Sequence, residues 1–79
     1  MFVRVKLYGT LRRLSQPGTP GLWQGEIASG TRIIDLITLI GSSEREVSAA
    51  SIDGTVRPFE TEIPDGVTDI VLVTPIGGG

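Results

Sequence analysis

The feature that most constrains the fold of this chain is an uninterrupted apolar run close to its end. Residues 70–73 read IVLV, so a strand formed there has no polar face. Side chains of a β-strand alternate between its two faces, and strands that are apolar on both faces lie inside a sheet rather than at its edge. The run therefore predicts a final strand over residues 70–74, with Ile70 and Leu72 facing a helix and Val71 and Val73 facing away from it.

A sheet built from only 79 residues leaves the second face of this strand without a cover of its own. Neighbouring strands could shield Val71 and Val73, or the two valines could form a docking surface for a partner. The sequence is compatible with both alternatives. In either case we expect the first and last strands to lie parallel and adjacent in the middle of the sheet, because a crossover that contains the helix is long enough to connect them.

Three consecutive glycines, Gly77, Gly78 and Gly79, follow the apolar run. Glycine has no Cβ, so such a segment can pass extended through a narrow channel and can adopt backbone angles closed to other residues. It would then present the carboxylate of Gly79 to the active site of another protein. The alternative is a frayed end or a cloning remnant. We therefore predict one folded domain over residues 1–76 and a flexible glycine tail over residues 77–79.

The remaining pattern indicates strand, loop, strand, helix, strand, turn and strand. Residues 2–8 alternate with period two, which is typical of a half-buried strand. Residues 9–21 contain two Pro-Gly pairs and form a loop, in which Leu11 and Leu14 fold back onto the core as a short helical turn. A short strand over residues 22–28 follows, and Gly25 predicts a bulge in it.

One amphipathic helix is predicted after residue 30. Thr31 can accept a backbone hydrogen bond as the N-cap, apolar residues follow at helical spacing, and Gly41 ends the helix. A weak strand over residues 47–52 then leads into the turn pair Asp53-Gly54, which tolerates positive φ, and into a further strand over residues 55–57. We assign the helix no chemical role beyond covering the core.

Composition argues against self-contained chemistry. The chain has no cysteine and no histidine, so it lacks a thiolate nucleophile, a disulfide framework, the usual general base and the commonest metal ligand. We therefore do not expect an enzyme by itself, a bound metal or a bound cofactor. A net charge of −2 with seven scattered basic residues gives no electrostatic footprint for nucleic acid. No apolar run approaches the ~20 residues of a membrane span, so we expect no membrane association and a cytoplasmic location.

Several segments of the sequence resemble one protein family. Residues 3–12, VRVKLYGTLR, look like the opening of the small subunit of molybdopterin synthase. Residues 64–66, PDG, and residues 70–79, IVLVTPIGGG, look like the ending of that subunit. Residues 52–56, IDGTV, resemble the hairpin that it shares with the thiamine-biosynthesis sulfur carrier. The chain thus resembles the ubiquitin-like sulfur carriers over its whole length, and its opening favours the molybdopterin branch.

The resemblance implies an α+β fold of the ubiquitin-like β-grasp type, with a mixed sheet of four to five strands and one main helix. It also implies that the chain is a protein substrate. A partner activating enzyme would use ATP to adenylate the carboxylate of Gly79, and sulfur from a sulfur donor would convert the adenylate to a thiocarboxylate. The large subunit of a synthase, or an equivalent acceptor enzyme, would then use this sulfur in cofactor biosynthesis.

The candidate partner-binding residues are Tyr8, Val71, Val73 and Ile76. Two other function classes stay open at this point. A ubiquitin-like modifier would use the same adenylate but would end in an isopeptide bond to a lysine. A passive β-grasp interaction module would use its sheet and leave the tail idle.

Two further sequence features have alternative interpretations. Arg12 and Arg13 are either a solvated pair or a site that steers a partner or binds phosphate. Trp23 is either a partly buried strand residue or a recognition anchor. Neither feature decides between the function classes.

Overall fold

The computed structural model of the protein describes residues 1–67 and 69–74. In these ranges the chain forms five strands, one α-helix and one 3₁₀ helix. Their bounds are β1 Phe2–Leu7, the 3₁₀ helix Gly9–Leu14, β2 Leu22–Glu26, α1 Ile33–Ile40, β3 Ala49–Ile52, β4 Thr55–Arg57 and β5 Asp69–Val73. The predicted α+β organisation, with one main helix, is confirmed.

One mixed sheet contains the five strands in the order β2-β1-β5-β3-β4. β1 and β5 pair in parallel at its centre, with Val5 beside Ile70 and Leu7 beside Leu72. β2 pairs antiparallel with β1, and β3 pairs antiparallel with β5 and with β4. The first and last strands are therefore parallel neighbours in the middle of the sheet, as predicted, and the long connection through α1 permits that pairing.

The core lies on the face of the sheet that carries the alternate residues of the two central strands. Val3, Val5, Ile70 and Leu72 have no exposed surface. The helix adds its apolar stripe at the predicted spacing, and its buried residues are Ile33, Leu36, Ile37 and Ile40. Each such aliphatic side chain contributes about 1.5–3 kcal/mol when it is fully buried, so these residues supply the main driving force for folding.

The loop after β1 folds back as predicted. Leu11, on the 3₁₀ helix, is fully buried, and Leu14 packs against the same core while remaining partly exposed. Trp23 is likewise half-buried against the core, which favours its interpretation as a strand residue. The loop therefore closes one end of the core and follows directly on a central strand.

The start of α1 differs from the prediction. The N-cap is Arg32 rather than Thr31, and the backbone N–H of Arg32 donates to Oδ2 of Asp35 at 3.1 Å. The hydroxyl of Thr31 instead donates to the carbonyl oxygen of Ala28 at 2.6 Å and closes the preceding turn. Gly41 ends the helix as predicted, in the left-handed conformation with a φ of 109°.

The predicted bulge at Gly25 is wrong. β2 pairs with β1 in continuous register through this residue, which lies opposite Val3. A Cβ on Gly25 would lie 3.0 Å from Cη2 of Trp23, so the indole ring occupies the space above the glycine. Gly25 therefore makes room for an aromatic side chain and does not interrupt the hydrogen-bonded ladder.

The strands β2 and β3 are each two residues shorter than predicted, at the end of β2 and at the start of β3. Ile27 and Val47 lie just outside these strands and are nevertheless buried. The apolar pattern of the sequence therefore extends beyond the residues whose backbone pairs in the sheet. The turn between β3 and β4 is as predicted: Asp53 and Gly54 have φ of 51° and 84°, the positive values that a two-residue type I′ turn requires.

A polar cluster joins the 3₁₀ helix to the segment after α1. The carboxylate of Glu46 accepts hydrogen bonds from the hydroxyls of Ser42 at 2.6 Å and Thr10 at 3.1 Å, and from the guanidinium of Arg13 at 2.6 Å. The Ser42 hydrogen bond, assisted by Thr10 and Arg13, holds the pKa of Glu46 below its ordinary value of 4.5, although partial burial opposes the shift. The contacts from Arg13 and Thr10 link segments that are 33 and 36 residues apart.

Glu46→Gln should lower the free energy of unfolding at neutral pH. Because the pKa of Glu46 is lower in the folded state, its ionisation stabilises the fold above pH 4.5, and this contribution is lost as the pH falls through the folded-state pKa. The variant should therefore be less stable than the wild type at pH 7 and should converge with it in acid. Urea unfolding of both proteins, at pH 7 and at a pH below the folded-state pKa of Glu46, measures this difference.

The matched control is Glu44→Gln, which removes an exposed carboxylate two residues away. Its unfolding midpoint should follow the wild type at pH 7. An equal loss of stability in both variants would contradict the role assigned to the Glu46 cluster.

Candidate functional site

The end of β5 is held on both sides by backbone hydrogen bonds. The N–H of Tyr8 donates to the carbonyl oxygen of Leu72 at 3.2 Å, and the N–H of Ser48 donates to the carbonyl oxygen of Val73 at 2.8 Å. The hydroxyl of Ser48 donates to the same Val73 oxygen at 3.2 Å. The central strand thus ends at a fixed point between two neighbouring segments.

Gly9 makes the closest approach to this strand end. Its φ is 63°, and a Cβ placed on it would overlap the hydroxyl of Thr74, the residue that follows β5. Both the backbone angle and the lack of space therefore require glycine. The sequence pattern gives Gly9 no structural role, because its neighbour Thr74 is distant in the chain and only the parallel pairing brings the two together.

Gly9→Ala should destabilise the protein by more than the ~1–2 kcal/mol expected for a left-handed backbone angle alone, because the new methyl group must also displace Thr74. Chemical denaturation measures the loss of stability. Amide chemical shifts of residues 72–74 should change as well, since the end of β5 has to move.

Gly18→Ala is the matched control, because Gly18 has a φ of 80° but a Cβ added to it would meet no described atom within 4 Å beyond its chain neighbours. The substitution should cost only the backbone strain and leave residues 72–74 unperturbed. Equal destabilisation by the two substitutions would show that the Gly9–Thr74 contact contributes nothing.

The face of the sheet opposite the core carries an apolar patch, which we define as Ala49, Val56, Val71 and Val73. Val71 and Val73 are half-buried, whereas Val56 is 69% exposed. Ser51 lies directly opposite both Val56 and Val71, and Ala49 lies opposite Val73. Because these β3 residues are small, they leave a shallow depression of about 100 Å³ between the larger valines.

The described structure supports the shielding alternative for this face, and the docking role stays a prediction. Neighbouring strands cover the edges of Val71 and Val73, as expected for a central strand, but no second layer of the described structure covers them. Val56, on the other side of Ser51, lines the same depression as these two valines, and exposed apolar surfaces are typical of protein-docking sites. Val56 does not stand out in the sequence, because its strand is short and only its pairing with β3 places it on this face.

Tyr8 lies on the same open face but borders a different feature. It is 49% exposed and lines a cleft of about 310 Å³ together with Arg4, Lys6 and Arg12. We call this the basic cleft. The open face therefore has an apolar part on β3, β4 and β5 and a basic part beside β1. Of the predicted partner-binding residues, Tyr8 borders the basic part and Val71 and Val73 belong to the apolar part.

Comparison with solved structures identifies the architecture. SAMP1 from Haloferax volcanii superimposes with a TM-score of 0.69 over 100% of both chains, at 15% sequence identity. The fold is a ubiquitin-like β-grasp. No protein-family model and no curated protein matches the chain.

Four predicted site residues of this β-grasp domain follow the described part of the chain. Ile76, Gly77, Gly78 and Gly79 lie outside the described residues, so their assignment as partner-binding residue and tail stays a prediction. Within the described ranges, no helix is long and apolar enough to cross a membrane. The same ranges hold no group of three or more acidic, histidine or cysteine side chains arranged to bind a metal ion.

Leu72→Asp and Val73→Asp should affect the β-grasp domain very differently. Leu72 is fully buried in the core, so an unpaired carboxylate there should cost roughly 3–5 kcal/mol. Val73 faces the open side and is only half-buried, so its carboxylate can reach water and should cost about 1 kcal/mol. Equilibrium unfolding of both variants measures the contrast.

Val56→Asp serves as a control at the most exposed position of the patch and should leave stability almost unchanged. A Val73→Asp protein that unfolds as readily as Leu72→Asp would overturn the assignment of Val73 to the open face.

Proposed function

We propose that this protein is a sulfur carrier whose terminal carboxylate, on Gly79, is adenylated and then converted to a thiocarboxylate. The sulfur would be used in cofactor biosynthesis, with molybdopterin favoured over thiamine by the sequence resemblance. The chain is the substrate in this reaction and supplies no catalytic side chain, which accords with its lack of cysteine and histidine.

One observation carries the proposal: the glycine run follows the central strand β5 of a β-grasp fold after only three intervening residues, 74–76. β5 ends between the hydrogen bonds from Tyr8 and Ser48, so the segment that follows starts from a defined point on the domain. Residues 76–79, if extended, span about 13 Å at ~3.3 Å per residue. That reach is enough to bring a terminal carboxylate from the domain surface into a recessed active site.

The chemistry begins from an ordinary carboxylate. An α-carboxyl group has a pKa of about 3.3–3.7, so it is ionised at neutral pH and needs no base to attack the α-phosphate of ATP held by an activating enzyme. Pyrophosphate leaves and an acyl-adenylate forms. The terminal sulfur of a persulfide donor then displaces AMP, and a thiol reductant releases the thiocarboxylate for use by an acceptor enzyme.

The apolar patch is the surface that we assign to the partner enzymes. Two of its residues, Val71 and Val73, lie on β5, the strand that leads to the glycine run, so an enzyme that docks there would be positioned to receive the tail. A patch of exposed and half-exposed valines loses water on contact and contributes to affinity through buried apolar area.

The decisive experiment compares the intact chain with a variant that lacks Gly79. After incubation with the activating enzyme from the same cells, ATP and a sulfur donor, the intact chain should exchange one oxygen for one sulfur, as measured by mass spectrometry. The shortened chain should fold normally and gain no sulfur, because its terminal carboxylate is one residue too short to reach the adenylation site.

Intact mass of the protein isolated from its own cells separates the other function classes. A covalent adduct with lysine side chains of other proteins would identify a modifier, and an unmodified chain would indicate a passive interaction module. Sulfur incorporation into the shortened chain would refute the role of Gly79. Val73→Asp should raise the concentration of carrier needed for half-maximal adenylation without changing the fold.

A further inference from the structure

The basic cleft is a second feature of the open face that the chemistry of the tail does not use. Its volume is about 310 Å³, and Arg4, Lys6 and Arg12 bring three positive charges to its walls. Tyr8 and Leu22 supply the less polar part of the lining. The chain as a whole is acidic, with a net charge of −2, so this concentration of positive charge is local.

The fold brings these three cations together from two segments. Arg4 and Lys6 are two residues apart on β1 and therefore share the open face. Arg12 lies on the 3₁₀ helix, and its guanidinium carbon is 3.8 Å from the position that a Cβ on Gly21 would occupy. Gly21 is itself held beside β1, because its carbonyl oxygen accepts a hydrogen bond from the N–H of Leu7 at 2.8 Å.

Arg12 and Arg13 are adjacent in the sequence but have different surroundings. Arg13 forms an ion pair with Glu46 at 2.6 Å and belongs to the structural cluster described above. Within residues 1–67 and 69–74, none of the three cleft cations has an acidic side chain within 4.0 Å, although Asp69 is the strand neighbour of Arg4. The cleft therefore carries cationic groups that the described part of the domain leaves without a salt bridge.

The cleft also adjoins the apolar patch. Lys6 is the direct strand neighbour of Val71, so the positive charges begin where the patch ends. A protein that covers the patch would bring the cleft close to its own surface and partly remove it from water. Positive charges in that position favour a partner with acidic side chains opposite them, because an unpaired charge is costly to desolvate.

We infer that the basic cleft receives an acidic segment of the partner protein that docks on the apolar patch, and this inference rests on the proposed use of the patch. The segment would place carboxylates near Lys6 and Arg12 and fix the orientation of the carrier on its partner. A nucleic-acid ligand is disfavoured, because three cations on an acidic domain provide few phosphate contacts.

In the test, the whole protein is labelled with nitrogen-15 and titrated with hexaglutamate at low salt, and its amide signals are followed by NMR. Hexaglutamine and oligouridylate are the comparison ligands. Hexaglutamate should shift the amide signals of residues 4–8, 12, 21 and 22, whereas hexaglutamine should not. The double variant K6Q/R12Q should bind hexaglutamate at least about fivefold more weakly, since it loses two of the three charges.

The matched control is R45Q/R57Q, which removes two exposed arginines outside the cleft and keeps the same total charge as the test variant. This control variant should retain most of the wild-type affinity for hexaglutamate. Equal losses in the two variants, or shifts spread over all basic residues, would overturn the inference. Stronger binding of oligouridylate than of hexaglutamate at the same amides would overturn it in favour of nucleic acid.

A kinetic measurement connects the cleft to the partner. K6Q/R12Q should slow association with the activating enzyme at low salt and reduce the salt dependence of that rate, whereas R45Q/R57Q should not. An unchanged association rate in K6Q/R12Q would overturn the partner assignment. If the chain bound hexaglutamate in the cleft but never received sulfur, the proposed function would fail and the acidic preference of the cleft would stand.

Discussion

The parallel pairing of β1 with β5 is the constraint on which the rest of this structure depends. It joins the first and last strands at the centre of the sheet and buries their alternate apolar residues beneath α1. The same pairing determines what the opposite face presents, because each buried residue is followed by one that points away. A single register thus sets the core, the open face and the point at which β5 ends.

The pairing of β1 with β5 places two different surfaces side by side on the open face. Lys6 on β1 and Val71 on β5 are direct neighbours, so a positively charged surface and an apolar surface share a boundary along the centre of the sheet. Apolar area provides affinity but little orientation, whereas charge complementarity provides orientation and association rate. The proposed carrier role, in which one end of the chain enters another protein's active site, would use both.

Glycine has a different physical role at each of three positions. Gly9 allows β5 to end against the start of the 3₁₀ helix. Its positive φ disfavours any residue with a Cβ, and the Thr74 hydroxyl occupies the space where that Cβ would lie. Gly25 yields space to the ring of Trp23 and is not a bulge. Gly41 ends α1 in the left-handed conformation. Only the role of Gly41 follows from local sequence. The role of Gly9 depends on Thr74, which is distant in the chain, and the role of Gly25 depends on the packing of the Trp23 ring.

The β-grasp expectation came from the resemblance of several segments to a known family, whereas the order of strands and helix along the chain, the buried faces of β1, α1 and β5, and the Asp53-Gly54 turn came from the sequence pattern itself. The features that came from the pattern have a common physical basis. These depend on side-chain periodicity and local backbone preference, which neighbouring residues specify. Only the tertiary structure decided that Val56 joins Val71 and Val73, that Arg12 faces the cleft while Arg13 binds Glu46, and that Gly9 contacts Thr74. Such juxtapositions arise from strand register and loop packing between distant segments, and the one-dimensional pattern carries no information about them.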